Sequence, residues 1–145
     1  MTRTFGLDVG TRTIGVAVSD PTATLASPLT TIRRTGLRQD LDALAALIAA
    51  HDVDRLVVGW PLQPDGREGP ITRKVQAFAD AAAARTGLPV ERWDERMTSK
   101  LAERYLIEGG ARRETRRQVV DKVAAALILQ GWLDARSRTE NGCAG

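Results

Sequence analysis

The chain is 145 residues long, which suits one domain built around a single hydrophobic core. Hydrophobic residues make up 43% of the sequence and charged residues 27%, the balance of an ordinary globular domain. The net charge of +3 permits an acidic partner, and one cysteine with one histidine leaves almost nothing for a zinc cluster or a Cys/His nucleophile pair. Since no signal peptide or membrane-spanning segment stands out, we expect a cytoplasmic protein with no membrane partner.

Residues 5–19 predict two strands joined by a tight turn at residues 10–13. Side chains in a strand alternate between two faces, so Asp8 lies on the face opposite its apolar neighbours Leu7 and Val9. The small residues that leave room around it are Gly6, Gly15 and Ala17. Acids are rare in strands, and a buried charge without a partner is costly. We therefore expect something to bind or approach beside Asp8.

The remaining elements alternate between helices and strands. We expect a strand at residues 25–33, a helix at 40–50, a strand at 55–59, a loop at 61–70, a helix at 71–85, a strand at 88–93, a helix from 98 to about 109 and a last helix at 118–135. Pro28 suits an edge strand, and Gly87 suits a helix C-cap.

This order predicts an α/β fold with a five-stranded mixed sheet, whose first three strands are antiparallel and whose second half is parallel. We expect helices on both faces of the sheet. Residues 1–136 would form a single domain, and residues 137–145 would be a disordered tail.

Two further carboxylates stand out by position. Glu95, beside Asp94, follows the fifth strand, and ligand-binding groups in open α/β sheets gather at such strand ends. Asp121 belongs to a largely apolar helix, on the same face as Ala125 and Ile128. The structural alternatives are solvated charges at a strand end for Glu95, and for Asp121 a first-turn acid that favours the helix dipole.

Three carboxylates on separate elements suit a hard divalent cation. Mg²⁺ or Mn²⁺ takes carboxylate oxygens and keeps water or phosphate oxygens in its other positions. Two such ions about 4 Å apart can activate water and stabilise the leaving oxygen in phosphodiester hydrolysis. The set Asp8, Glu95 and Asp121 therefore predicts a metal site with catalytic function.

Several motifs follow one another in register. They are GLDVGT at 6–11, IGVAVSD at 14–20, VVGWPL at 57–62, DGREG at 65–69, WDERMT at 93–98 and VDKVAA at 120–125. Together they resemble the YqgF/RuvX family of RNase H-like proteins, proposed pre-16S rRNA nucleases and Holliday-junction-resolvase homologues. The resemblance covers about residues 3–135, with Trp60 and Met97 where the family more often has leucine.

The resemblance implies an RNase H-like fold and a metal-dependent nuclease that acts in maturation of the 5′ end of 16S rRNA. It places the family's acidic residues at Asp8, Glu95 and Asp121. The implied partner is structured RNA, with branched DNA as the alternative, and the chain would act as a monomer or a homodimer.

Phosphate contacts are expected from polar residues around this acidic set, although each has the alternative of being simply solvated. The candidates are Thr11 and Arg12 in the hairpin turn, Arg67 in the loop, and Arg112, Arg113, Arg116, Arg117 and Lys122 around the start of the last helix. Contacts between these cations and phosphate would make nucleic-acid binding depend on salt.

Three competing functions remain open. The motif at residues 8–11 also resembles the first phosphate motif of actin-like ATPases and sugar kinases, but those proteins need two such domains. Holliday-junction resolution would need two symmetric cuts and hence a dimer. A non-catalytic nucleic-acid-binding module would gain nothing from three acidic residues, which repel phosphate.

Overall fold

The computed structural model describes residues 2–63, 65–94 and 122–136. The elements are β1 (Arg3–Val9), β2 (Thr13–Ser19), β3 (Ala26–Arg33), α1 (Leu37–His51), β4 (Val53–Trp60), α2 (Pro70–Thr86), β5 (Val90–Asp94) and a helix over residues 122–136, here labelled α3. Within these ranges, no helix is long and apolar enough to cross a bilayer.

The five strands form one sheet in the order β3-β2-β1-β4-β5. β2 pairs antiparallel with both β1 and β3, whereas β4 pairs parallel with both β1 and β5. A hairpin can join antiparallel neighbours directly, but each parallel neighbour needs a crossover, which α1 and α2 supply. The predicted mixed sheet is therefore confirmed.

Helices cover both faces of the sheet, as predicted. On one face, Phe5 and Leu7 are fully buried in a cluster that includes residues of α1 and α2. On the other face, Ala17 and Val57 are fully buried against α3. Successive side chains of each strand point to opposite faces, so the core consists of two layers, one on each side of the sheet.

The predicted position of the edge strand is confirmed, because β3 lies at one end of the sheet. Pro28 pairs with Ala17 where the register between β2 and β3 shifts. Proline cannot donate a ladder hydrogen bond, so an irregular edge position is where a strand tolerates it. The C-cap prediction also holds, since Gly87 is left-handed and its N–H donates to the carbonyl of Ala83 at 2.9 Å.

Some boundaries differ from those predicted. Helix α1 begins at Leu37 rather than at residue 40, since Gly36 is its N-cap and Asp40 is a buried acid inside its first turn. Strand β5 spans Val90–Asp94 rather than 88–93; before it, the carbonyl of Pro89 already accepts a hydrogen bond from Leu56. The predicted helix from residue 98 and the tail at 137–145 lie outside the described residues.

Helix α3 packs on β1 at Gly6. A Cβ added to Gly6 would lie 2.6 Å from the Cβ of Leu129 and 2.7 Å from the carbonyl oxygen of Ala125. The β2 residue opposite Gly6 is Ala17, which is also small and fully buried. The sparse face predicted from the sequence is therefore the face on which α3 lies close to the sheet.

We predict that Gly6→Ala destabilises the protein by about 1–3 kcal/mol, because the added methyl group must push helix and strand apart. Urea denaturation measures this loss. The matched control is Gly36→Ala, where the added Cβ would meet only the far end of the Gln39 side chain, which can rotate away. Its cost should stay below about 1 kcal/mol, as for a weakened N-cap. Equal losses for both variants would contradict the importance of the contact between α3 and β1.

Candidate active site

Asp8 lies near the carboxyl end of β1, half-buried, on the sheet face that α3 covers. Its pairing partner on β2 is Gly15. On the other side, Gly59 of β4 lies one step beyond the pair formed by Leu7 and Val58. The residues beside Asp8 on both neighbouring strands are therefore glycines, which add no side chain next to its carboxylate.

The first described residues of α3 lie toward the edge of the sheet that is formed by the carboxyl ends of β1, β4 and β5, where Asp8 also lies. Leu129 packs over Gly6 in the middle of β1. Further along the helix, the side-chain oxygen of Gln130 accepts a hydrogen bond from the backbone N–H of Ala26, at 2.9 Å. Ala26 begins β3, level with the amino end of β1, so α3 runs antiparallel to β1. The half-buried Lys122 therefore belongs to the end of α3 nearer the carboxyl edge.

The carboxyl end of β5 presents its last two described residues to opposite faces. Trp93 faces α3, where a Cβ added to Gly131 would lie 2.8 Å from the indole ring. Asp94 pairs with Trp60, whose side chain belongs to the cluster under α1 and α2. Since strand residues alternate, Asp94 lies on the face away from Asp8. Asp94 is therefore unsuited to share a ligand with Asp8.

The other predicted acids and most of the predicted arginines lie outside the described residues. They are Glu95, Asp121, Arg112, Arg113, Arg116 and Arg117. Their described chain neighbours are Asp94, which precedes Glu95, and Lys122, which follows Asp121. Within the described ranges, no group of three His, Cys, Asp or Glu side chains could hold a metal. Of the predicted acidic set, only Asp8 can therefore be located.

The remaining candidate phosphate contacts follow carboxyl ends of strands. Thr11 and Arg12 are exposed in the turn between β1 and β2, where the N–H of Gly10 donates to the carbonyl of Thr13 at 2.9 Å. Arg67 lies in the loop after β4, with its side chain 83% exposed and its Nε atom 3.4 Å from a carboxylate oxygen of Asp65. All three residues are therefore exposed in loops that follow carboxyl ends of strands.

An ion pair that the sequence did not reveal holds the hairpin turn. The Nε atom of Arg34 donates to Asp40 at 3.1 Å, and its Nη1 atom donates to the carbonyl oxygen of Gly10 at 2.9 Å. The backbone N–H of Arg34 also donates to the carbonyl of Arg12, at 2.8 Å. Asp40 is only 2% exposed and also accepts from the N–H of Thr35. The turn that carries Thr11 is thus tied to the start of α1.

Another acid, Asp20, belongs to a structural turn that follows β2, at the edge of the sheet where β1 begins. A hydrogen bond from the hydroxyl of Thr22, together with the backbone N–H groups of Leu25 and Thr24, lowers the pKa of Asp20 to about 2. These bonds stabilise the carboxylate form and organise the connection between β2 and β3. Asp20 therefore has a structural role apart from the candidate site.

Comparison with known proteins assigns the chain to a family. Residues 2–135 match the family RuvX, described as Holliday junction resolvase. The chain belongs to the RuvX family. Two of its relatives carry the name "Putative pre-16S rRNA nuclease". The protein from Myxococcus xanthus is 52% identical over 92% of this chain and 88% of its own length. The protein from Moorella thermoacetica is 52% identical over 91% of this chain and 94% of its own length.

A solved structure shows the same fold at much lower identity. RuvC from T. thermophilus, in complex with a Holliday junction substrate, aligns with a TM-score of 0.54 and 19% sequence identity. The alignment covers 94% of this chain and 96% of RuvC. The RNase H-like fold implied by the sequence motifs is therefore confirmed for this RuvX-family member.

We predict that Arg34→Gln destabilises the protein by about 2–4 kcal/mol, because it removes the charged partner of the buried Asp40 carboxylate. It also removes the hydrogen bond to the Gly10 carbonyl, so amide hydrogen exchange in the turn should accelerate. Urea denaturation and hydrogen exchange measure the two effects. The control is Arg33→Gln, which alters the exposed neighbouring arginine. A loss of stability no greater than that of the control would show that the ion pair does not hold the turn.

Proposed function

We propose that this RuvX-family protein is a metal-dependent nuclease that hydrolyses phosphodiester bonds in structured RNA, in processing the 5′ end of pre-16S rRNA. The observation that carries the proposal is the position of Asp8 on a glycine-bordered edge beneath α3. The name of the 52% identical relatives supports the choice of substrate. Ribosomal RNA is processed where ribosomes assemble in bacteria, so we place the activity in the cytoplasm.

The proposed ligands of one or two Mg²⁺ or Mn²⁺ ions are Asp8, Glu95 and Asp121. The chemistry of the donors fits, because hard cations take carboxylate oxygens. The neighbouring strands support this assignment, since Gly15 and Gly59 add no side chains beside Asp8 that would compete with a ligand. Glu95 directly follows β5 and Asp121 directly precedes Lys122, so in the chain both acids adjoin elements that reach this edge.

The protein side chains would bind the substrate and direct it to this edge. When bound, the metal ions would lower the pKa of the attacking water and stabilise the leaving oxygen. Thr11 and Arg12 would contact phosphates beside the scissile bond, and Arg34 would keep their turn in place. Lys122 would neutralise a further phosphate from the side of α3. Binding through these cations should weaken as salt rises.

The second candidate function is cleavage of Holliday junctions, which the description of the RuvX family favours. Symmetric cuts in two strands would require a homodimer with two copies of the site. Processing of an RNA end needs only one site, so a monomer suffices. The two functions therefore differ in substrate and in the number of subunits that must act together.

Parallel cleavage assays distinguish these functions. We expect kcat/KM for fragments that span the 5′ end of 16S rRNA within its precursor to exceed that for four-way DNA junctions by about tenfold or more. The assay uses both labelled substrates with Mg²⁺ and with Mn²⁺. Faster and symmetric cutting of the junction would instead support the resolvase function.

We predict that Asp8→Asn lowers the cleavage rate by more than about a hundredfold. Loss of residues that only orient metal ligands already costs roughly 10- to 100-fold, and a ligand should matter more. The matched control is Asp94→Asn, which makes the same change at the same edge but on the opposite face. The control should cleave at a rate close to that of the unaltered protein.

Two measurements keep the interpretation of Asp8→Asn clear. Urea denaturation should show a stable fold, and RNA binding measured without metal should remain. If Asp8→Asn cleaves as fast as the unaltered protein with added Mn²⁺, the proposed role of Asp8 is wrong. If Asp94→Asn abolishes cleavage instead, the site lies on the other face of the sheet.

A further inference from the structure

A cleft of about 580 Å³ opens on the α1 and α2 side of the sheet, at the same edge as Asp8. It lies between the hairpin turn, the connection from β3 to α1, and the first turns of α1 and α2. The wall residues that matter below are Thr11, Arg34, Leu37, Asp40, Ile71 and Lys74. Its volume is within the range of small-molecule sites, so it can hold one or two nucleotide-sized groups.

One wall of the cleft is apolar. Within the described ranges, three large hydrophobic side chains are exposed: Leu25, Leu37 and Ile71. Two of them line this cleft, with Leu37 48% exposed and Ile71 60% exposed. Neither belongs to the core clusters formed by the described residues, so packing within those clusters does not account for an apolar residue at these positions. Both side chains are available to a ligand with an apolar surface.

The charges around the cleft favour an anion. Lys74 lines it, and the exposed Arg38 and Arg73 adjoin Leu37 and Lys74 in the chain. No ion pair within the described ranges involves these three cations. The acid in the wall, Asp40, is buried and already paired with Arg34. The accessible charge is therefore positive.

We propose that this cleft binds unpaired nucleotides of the RNA substrate next to the cleaved bond. Bases would contact Leu37 and Ile71, and Lys74 would contact a phosphate. An unpaired nucleotide offers an accessible apolar base face together with a negative charge, whereas a duplex hides its base faces. Thr11 lines the cleft and belongs to the turn that follows β1, so a strand that crosses this turn joins the cleft to Asp8. The inference rests on the proposed nuclease function.

The test is a binding assay in the Asp8→Asn background, so that the probe is not cut. The probes are a fluorescein-labelled RNA hairpin with a short unpaired extension and the same hairpin with a blunt end. Fluorescence anisotropy gives Kd for both, across a series of salt concentrations. We expect tighter binding of the extended hairpin, because only its extension can enter the cleft.

The variant Ile71→Ser tests the apolar wall. It should weaken binding of the extended hairpin by about three- to tenfold and leave the blunt hairpin unaffected, because only base contact is lost. Its matched control is Leu25→Ser, which alters the other exposed hydrophobic side chain, in the connection between β2 and β3 at the far edge of the sheet. The control should leave the Kd of both probes unchanged. Thermal unfolding of each variant confirms that the fold is intact.

The variant Lys74→Gln tests the phosphate contact. For the extended hairpin it should reduce the slope of log Kd against log salt concentration by about 0.7, the value for one phosphate contact in a single strand. Ile71→Ser should leave this slope unchanged. The control is Arg85→Gln, which removes the same charge from the last turn of α2, where Arg85 pairs with Asp42. Its slope should match that of the parent.

Equal Kd values for the two hairpins, or an effect of Ile71→Ser no larger than that of Leu25→Ser, would overturn the inference. A peptide as the true occupant of the cleft would give that same result. The unaltered protein is tested separately for cleavage. If it cleaves RNA while the hairpins bind equally, the cleft assignment alone fails. If it cleaves no RNA but still prefers the extended hairpin, the nuclease proposal fails and the binding site stands.

Discussion

The close packing of α3 on β1 is the constraint on which the candidate site depends. It is possible only because residue 6 has no side chain: an added Cβ would lie 2.6 Å from Leu129. The same face carries Gly15 beside Asp8, and Gly59 on the next strand. The missing side chains thus serve two purposes. Around Gly6 they let the helix approach the sheet, and beside Asp8 they leave its carboxylate without side-chain neighbours at the paired positions of the two adjacent strands.

On the sheet face that α1 and α2 cover, an ion pair fixes the hairpin turn at the edge near Asp8. The ion pair of Arg34 with the buried Asp40 anchors the hairpin turn through the carbonyl of Gly10. An arginine suits this task, because its planar group can donate to a carboxylate and to a carbonyl at once. The turn therefore lies between two features of one edge: Asp8 on the α3 side, and the cationic cleft with its apolar wall on the α1 and α2 side. A nucleic-acid strand could contact both by passing over the turn.

Much of the fold could be predicted because its signals are local. Alternation in the opening hairpin placed Asp8 on the face opposite Leu7 and Val9, and Pro28 marked the edge strand. The start of α1 was predicted too late, because an acid in a first turn looks the same whether it is solvated or, like Asp40, buried in an ion pair. The sequence also did not show which face of the sheet Asp94 occupies relative to Asp8. Only pairing of β5 with β4, which puts Asp94 beside Trp60, decides this.

By itself, the sequence determined the strands, the mixed sheet, the family and the carboxylate on a face of small residues. The strands and the face of small residues follow from side-chain size and from the two-residue repeat of a strand, both of which are local properties of the chain. The mixed sheet follows from the order of the elements. The family follows from the resemblance of the motifs that stand in register along the chain. Only the tertiary structure decided which helix covers that face, which charge anchors the turn and where the cleft lies. The reason is physical: Gly6 meets Leu129, and Arg34 meets Gly10, only after the chain has folded, and no local pattern encodes such contacts.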